Sequence, residues 1–397
     1  MVGGKAKKIL YLHRTQGVGV EAVHINGISD AFRELDYEVD IFSPTGMKHE
    51  TMLDIAQAEL SQSAKTEKSS LISKHMPEFL FELLEIVYNV FAMVKLFTNG
   101  VAKYDIVFER YAIFSVIGAI VSKLRNIPFV LEVNYTTNSP LVRKRTALLK
   151  PLARLVDKFV FRSATLLTPV STTLERELIE QYGIPAEKII VLPNAADPQK
   201  FKPADRRALA DAPHKVIGFV GGFYPWHGLD LLLEAFYEIQ YKVPEAKLML
   251  IGDGPELDAI KRKAKEIGVL DKVEFPGRID HSSLPEFMQR FYVGVMPNSN
   301  DYGSPMKIFE YMALSVPVVA PNYPPILDVL EDGKQGVLFE RCKSEALSAA
   351  LEKVLLAPGF ASVLSSNARK SVENVHNWNE NVKKIVSFLG RQEIGRA

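Results

Sequence analysis

Short apolar runs alternate with longer segments of helical periodicity along most of this chain. In the first half the runs are Ile9–Leu12, Val39–Phe42, Ile106–Phe108, Phe129–Val133, Leu166–Val170 and Ile189–Leu192. Helical patterns stand between most of them, at Val20–Leu35, Ile113–Leu124, Leu141–Phe161 and Leu174–Tyr182. Apolar runs without polar alternation suit strands buried on both faces, and strand–helix alternation suits a parallel, doubly wound sheet. Met47 to Lys74 is polar and weakly patterned, and reads as a loop or loose helix. A polar break at Asn194–Pro198, continuing through Pro203 to Pro213, reads as a linker. A second series follows, with strands expected at Val216–Val220, Lys247–Ile251, Val273–Phe275, Val293–Met296, Val316–Ala320 and Gly336–Phe339. Its helices are expected at Leu229–Tyr241, Glu256–Ile267, Ser283–Arg290, Lys307–Leu314 and Ser344–Leu355, then Phe360–Asn374 and Trp378–Leu389. The pattern predicts an α/β protein of two Rossmann-like, doubly wound domains, 1–200 and 205–377. A cleft between two such domains suits a donor on one wall and an acceptor on the other, because open α/β sheets bind ligands beyond the carboxyl ends of their strands.

Composition narrows the classes. A chain of 397 residues is long for one core, which agrees with two domains. A net charge of +1 gives no reason to expect nucleic acid as a partner. Cys342 is the only cysteine, so a disulfide framework is excluded and a reducing, cytoplasmic setting fits. Lys5–Lys8 before Ile9–Leu12 imitates a signal peptide, but the apolar run is too short and ends in His13 and Arg14. The most apolar segment, Phe79 to Phe97, is interrupted by Glu82, Glu85, Asn89 and Lys95. It reads as a core helix with a partly greasy outer face, with membrane contact as the lesser option. Leu141–Ser163 is basic and amphipathic through Arg143, Lys144, Arg145, Lys150, Arg154, Lys158 and Arg162. A solvated helix face is the favoured reading there, over peripheral docking on anionic lipid or on a phosphorylated acceptor.

The richest chemistry lies at Asn300–Ala313. A buried strand precedes it, Ser304 suits an N-cap and Pro305 the first helical position. The amides of Met306 and Lys307 then fall in a first turn whose N–H groups have no intrahelical partner, an anion site reinforced by the Lys307 charge. Glu310, one turn on, suits vicinal ribose hydroxyls. Two glycine-bearing loops also follow strands. Arg14–Glu21 holds Gly17, Val18 and Gly19; Gly221–Gly228 holds Gly222 and His227, which is placed to donate a hydrogen bond or, if protonated, a charge. Metal motifs and the P-loop pattern are absent from the sequence.

Taken together, certain segments resemble glycosyltransferase family 4, a retaining family with the GT-B fold. They are Tyr104–Tyr111, Thr168–Ser171, Val191–Asn194 with Asp197 and Phe201, Ile251–Glu256, Val273–Arg278, and Ser304–Ala313 with Pro317–Ala320. The resemblance implies a nucleotide-sugar donor on the C-terminal domain, UDP favoured and GDP an option, with no cofactor or metal required. It implies that Glu310 holds ribose, that Gly303, Ser304 and Met306 belong to the diphosphate loop, and that Arg278 and Ile279 contact the base. The acceptor is a glycan, a lipid-linked glycan or a small molecule, held near Gly17–Gly19, Arg110, Glu132 and Asn134. Helix 378–397 crosses back to the first domain. Gly222 and His227 stand where the family often has Arg and Lys, Tyr302 stands where it has a glutamate, and Asn134 or Glu132 replaces a histidine. The expected catalytic set is Lys307, His227 and Asn134. A nucleotide-sugar epimerase or hydrolase is the alternative enzyme, and a non-catalytic sugar-binding protein the alternative class.

Overall fold

The computed structural model describes residues 6–15, 19–43, 78–140, 148–204 and 212–394. Contacts divide the chain into two compact units, Met1–Leu192 with Val382–Ala397, and Pro193–Asn381. The polar stretch that reads as a linker is packed into the second unit from its start. Asn194 and Ser304 bond each other twice, and Ala196 forms an isolated bridge with Asn377.

The first unit carries β1 (Lys8–Leu12), β2 (Glu38–Phe42), β3 (Ile106–Arg110), β4 (Phe129–Val133) and β5 (Leu166–Pro169), in the order β2-β1-β3-β4-β5. The strands pair in parallel throughout the described sheet, with Ile9 beside Val39 on one side and Ile106 on the other. The chain leaves β1 for β2 on one side and returns to β3 on the other. The topological switch point therefore lies between β1 and β3. Helices α1 (Val20–Glu34), α2 (Glu78–Thr98), α3 (Ile117–Arg125), α4 (Lys150–Ser163) and α5 (Thr172–Glu180) connect the strands. Leu10, Val107, Phe129 and Leu131 lie at the centre of the core, all fully buried.

Three expectations shift here. Ile189–Leu192 is no ladder strand: it makes one bridge, Leu167 to Ile189, and two bonds to β5 carbonyls. The helix expected from Ile113 begins at Ile117, because Phe114 takes a positive φ of 63° and its carbonyl accepts from Asn89 instead. The helix expected from Leu141 begins at Lys150, with Pro151 in the first turn where its missing N–H costs nothing. Residues 141–147, with Arg143, Lys144 and Arg145, lie outside the described set, as does 44–77 with the loop read at Met47–Lys74.

The second unit holds β6 (Lys215–Val220), β7 (Ala246–Ile251), β8 (Val273–Gly277), β9 (Val293–Val295), β10 (Val318–Pro321) and β11 (Gly336–Phe339), in the order β11-β10-β9-β6-β7-β8. This is the doubly wound order in which the first strand sits centrally, so the switch point lies between β6 and β9. Its helices are α6 (Leu229–Lys242), α7 (Leu257–Glu266), α8 (Leu284–Met288), α9 (Met306–Ala313), α10 (Pro324–Leu327), α11 (Ser344–Leu355) and α12 (Pro358–Asn374). The last helix, α13 (Trp378–Ile394), starts in the second unit and belongs to the first from Val382 on. Gly294 on β9 lets α9 approach the sheet, since a Cβ there would sit 2.7 Å from the Tyr311 ring. The Tyr311 hydroxyl then accepts the Val220 N–H at 3.0 Å, fixing α9 against the end of β6.

Candidate functional site

Two loops leave the carboxyl ends of β6 and β9 at the second unit's switch point. After β6 the chain runs Gly221–Gly222–Phe223–Tyr224 into a short 3-10 turn, Pro225–His227. Gly252 and Gly254, in the loop after β7, pack onto it so closely that a Cβ on Gly252 would meet the Gly221 carbonyl at 1.9 Å. Phe223 donates its N–H to the Asp253 carbonyl at 2.8 Å. The Ile251–Glu256 segment thus braces the glycine loop rather than reaching for a ligand.

After β9 the loop 297–305 leads into α9. Helix α9 begins at Met306, with Pro305 at its N-cap and no side-chain cap. Ser304 is not the N-cap: its hydroxyl accepts the Asn194 N–H at 3.0 Å, and the Asn194 side chain donates to the Ser304 carbonyl. Gly303 is likewise engaged. Asn300 Oδ1 accepts the N–H of both Tyr302 and Gly303, the latter at 2.5 Å. The Asn-x-x-Gly pattern at 300–303 signals this Asx turn, which the sequence reading passed over. The amides that geometry leaves for an anion are therefore those of Met306 and Lys307 in the first turn, where an α-helix supplies no carbonyl.

Lys307 departs most from an ordinary surface lysine. Its Nζ is buried, without a hydrogen-bond partner, 4.1 Å above the Phe219 ring. It presses on Gly221, where a Cβ would lie 2.7 Å from Nζ; the φ of 150° there also favours glycine. Burial pushes the ammonium down to about 7, and the Glu310 carboxylate resists the shift. Lys307 does not simply add a full, screened charge to the helix end; it sits desolvated, and a nearby anion would favour its taking up a proton from solvent.

His227 is neutral at physiological pH. Burial, then the Lys307 charge, pushes it down to about 4. Its Nδ1 donates to the Gly222 carbonyl, which can only accept, so Nε2 carries a lone pair. The Nδ1–H of His227 is thus engaged within the glycine loop, and Nε2 is left as an acceptor suited to a hydroxyl. Glu310 is buried in α9, and His281 Nε2 donates to its Oε1 at 3.0 Å. His281 lies on the loop beyond β8, 29 positions away, with its ring edge-on to Phe201 at 5.4 Å. No local motif marked it. On the same loop Arg278 is exposed and Ile279 half-buried against the core.

The first unit's switch point is built differently. Glu132, near the end of β4, is buried and gripped from three sides. His24 of α1 bonds Oε2 at 2.5 Å, Arg110 at the end of β3 bonds Oε1 at 2.5 Å, and the Asn134 amide donates to Oε1. Burial opposes ionisation, but His24 and Arg110 outweigh it and hold the carboxyl at about 2. Glu132 is thus held as an anion among His24, Arg110 and Asn134. Next to it on β3, Glu109 accepts the Ser115 hydroxyl and the Gly118 N–H and anchors the start of α3; burial raises it to about 7. Gly19, with a φ of 61°, is the N-cap of α1, while Gly17 and Val18 lie outside the described residues.

Comparison with known proteins bears on the family and the fold. The model of the family described as Glycosyltransferase Family 4 matches residues 19–200, and that of Glycosyl transferases group 1 matches 201–371. An uncharacterized glycosyltransferase of Methanocaldococcus jannaschii is 23% identical over 391 residues, 96% of each chain. A GDP-mannose-dependent alpha-(1-6)-phosphatidylinositol monomannoside mannosyltransferase of Mycolicibacterium smegmatis is 26% identical over 262 residues, covering 62% of this chain and 68% of the relative. The crystal structure of Anabaena HepE in complex with UDP and glucose superposes with a TM-score of 0.68 at 20% identity, over 96% of this chain and 99% of that one. With two Rossmann-like units and matches along nearly its whole length, this chain belongs to glycosyltransferase family 4 and has the GT-B fold.

Proposed function

We propose that this chain is a retaining, metal-independent glycosyltransferase that binds the diphosphate of a nucleotide-sugar at the start of α9. The observation that carries the reading is the buried, unpartnered ammonium of Lys307 at the β6/β9 switch point, beside the free first-turn amides and one turn from Glu310. A desolvated cation next to a helix N-terminus is costly alone and favourable once an anion arrives. The diphosphate takes the Met306 and Lys307 amides and the Lys307 ammonium. Glu310, oriented by His281, accepts from the ribose hydroxyls through its other oxygen. Arg278 and Ile279 flank the base, and His227 Nε2 accepts from a hydroxyl of the sugar.

In the reaction the acceptor O–H attacks the anomeric carbon from the face the diphosphate leaves. The C1–O bond to phosphate breaks through an oxocarbenium-like state, and the acceptor proton passes to the departing phosphate oxygen. Lys307 and the helix end meet the charge that develops there, where one preorganised donor is typically worth about 3 kcal/mol. The acceptor belongs to the first unit, near Gly19, Arg110 and Asn134, on a surface that the Glu132 cluster makes rigid.

UDP-sugars are the favoured donors, since HepE, crystallised with UDP, matches over 96% of the chain. The GDP-mannose-dependent relative makes GDP the competitor. Calorimetry of UDP, GDP and ADP with a chelator present, on wild type and Glu310→Ala, tests the site. Selective binding of one diphosphate, lost in the variant, is expected; equal binding by the variant refutes the ribose assignment. Nuclear magnetic resonance of the product's anomeric centre tests retention, and product formed without acceptor would favour an epimerase or hydrolase.

A further inference from the structure

Helix α2 is turned inside out. Every described side chain exposed between Leu80 and Phe97 is a large hydrophobe: Leu80, Leu83, Leu84, Val87, Val90, Phe91, Val94 and Phe97. Their spacing of three and four places them on one continuous face. Val90 is 66% exposed and Phe91 59%. The polar side chains that interrupt this segment in the sequence all turn inward. Glu82 is buried and accepts the N–H groups of Leu148 and Leu149, both at 2.9 Å. Glu85 reaches toward Arg14, Asn89 donates to the Phe114 carbonyl at 2.8 Å, and Lys95 lies over the Phe42 ring. The buried face is thus satisfied, and the residues that argued against membrane contact serve the interior.

Glu82 ties α2 to the residues that lead into α4, and α4 completes the surface. Its exposed residues are Lys150, Pro151, Leu152, Arg154, Leu155, Lys158, Phe159 and Arg162; its one acid, Asp157, is buried beneath Tyr111 and Tyr182. Lys123 at the end of α3 sits over Phe159, next to the exposed Leu124 and Arg125. Among the described side chains of α2, α3 and α4, no carboxylate is exposed. A surface whose described exposed residues are large hydrophobes and cations is complementary to anionic headgroups over hydrocarbon. No single described helix is long and apolar enough to cross a membrane.

We propose that the outer face of α2, with the basic flank of α4, docks the first unit on an anionic lipid bilayer. The apolar face of α2 enters the acyl boundary while Lys150, Arg154, Lys158 and Lys123 meet headgroups. The inference rests on the first unit alone and stands whatever the donor.

The test is flotation of the full chain with vesicles of phosphatidylcholine alone and of phosphatidylcholine mixed with phosphatidylglycerol. Binding to the mixed vesicles, weakened by salt, is expected. Val90→Ser/Phe91→Ser removes exposed side chains only and leaves the fold intact by circular dichroism. It weakens partitioning about 100-fold. Lys150→Gln/Lys158→Gln weakens it about 30-fold, at about one kcal/mol per cation. No flotation with the mixed vesicles, or flotation that neither variant changes, overturns the proposal. So does a wild-type dimer in sedimentation velocity that Val90→Ser/Phe91→Ser converts to monomer, because a second copy would then cover the face.

Discussion

The two units bury a charge near the carboxyl ends of their parallel strands for opposite electrostatic ends. In the first unit the Glu132 carboxylate has Arg110, His24 and Asn134 around it. In the second, the Lys307 ammonium is just as deeply placed yet makes no hydrogen bond and rests on an aromatic face. A buried charge with its partners supplied is structural, and removing it leaves those partners stranded. A buried charge without partners costs stability and is kept where a ligand completes it. The direction of each pKa shift records the difference: Glu132 is held ionised at about 2, whereas Lys307 is pushed toward neutrality at about 7.

Breaking the satisfied side gives the largest effect on folding. Glu132→Leu should destabilise the protein by about 3–5 kcal/mol in urea unfolding, since Arg110 loses its counter-ion and His24 its hydrogen-bond partner in a buried site. Its folded pKa lies below the ordinary 4.5, so the carboxylate's contribution is present above that pH and is lost as pH falls toward about 2. The wild type should therefore lose on the order of 3 kcal/mol more than Glu132→Leu over that acid range. An equal acid dependence in both would break the first half of the comparison.

The unsatisfied side should respond in the opposite sense. Lys307→Met is expected to lower kcat/KM by about 100- to 1,000-fold. The melting temperature should hold or rise, because the variant removes an unpaired buried cation. A clear drop in melting temperature would mean that Lys307 supports the fold. A subtler effect concerns pH. Nucleotide diphosphate binding needs protonated Lys307, whose free value is about 7. Affinity should be level below that pH and fall about tenfold per unit above it. Smallest is His227→Gln, which keeps a donor toward the Gly222 carbonyl and should change nucleotide affinity only a few-fold, with no acid limb near pH 6. A large loss there would restore a charged role to the histidine.

The sheets were legible because buried parallel strands leave short apolar runs such as Ile9–Leu12 and Leu248–Ile251. Helix starts were less so, since they depend on tertiary partners: Asn89 captures the Phe114 carbonyl, and Asn194 rather than a helix amide claims Ser304. Within the candidate site, strand–loop–helix order pointed to Lys307, Glu310 and the glycine loop. It could not show that Glu132 spends its charge internally, or that His281 pairs with Glu310 from 29 positions away. The same limit hid α2. Glu82, Glu85, Asn89 and Lys95 suggested a core helix with a partly greasy outer face, and only the fold shows that these four face inward.

The most direct test of the central claim is calorimetric proton counting. UDP, and GDP in parallel, is titrated into wild type and Lys307→Met in mildly alkaline buffers of differing ionisation enthalpy. The account predicts that wild type takes up a proton on binding the diphosphate and that Lys307→Met neither takes it up nor binds tightly. Binding of equal strength in both proteins, with no proton uptake in either, would contradict it.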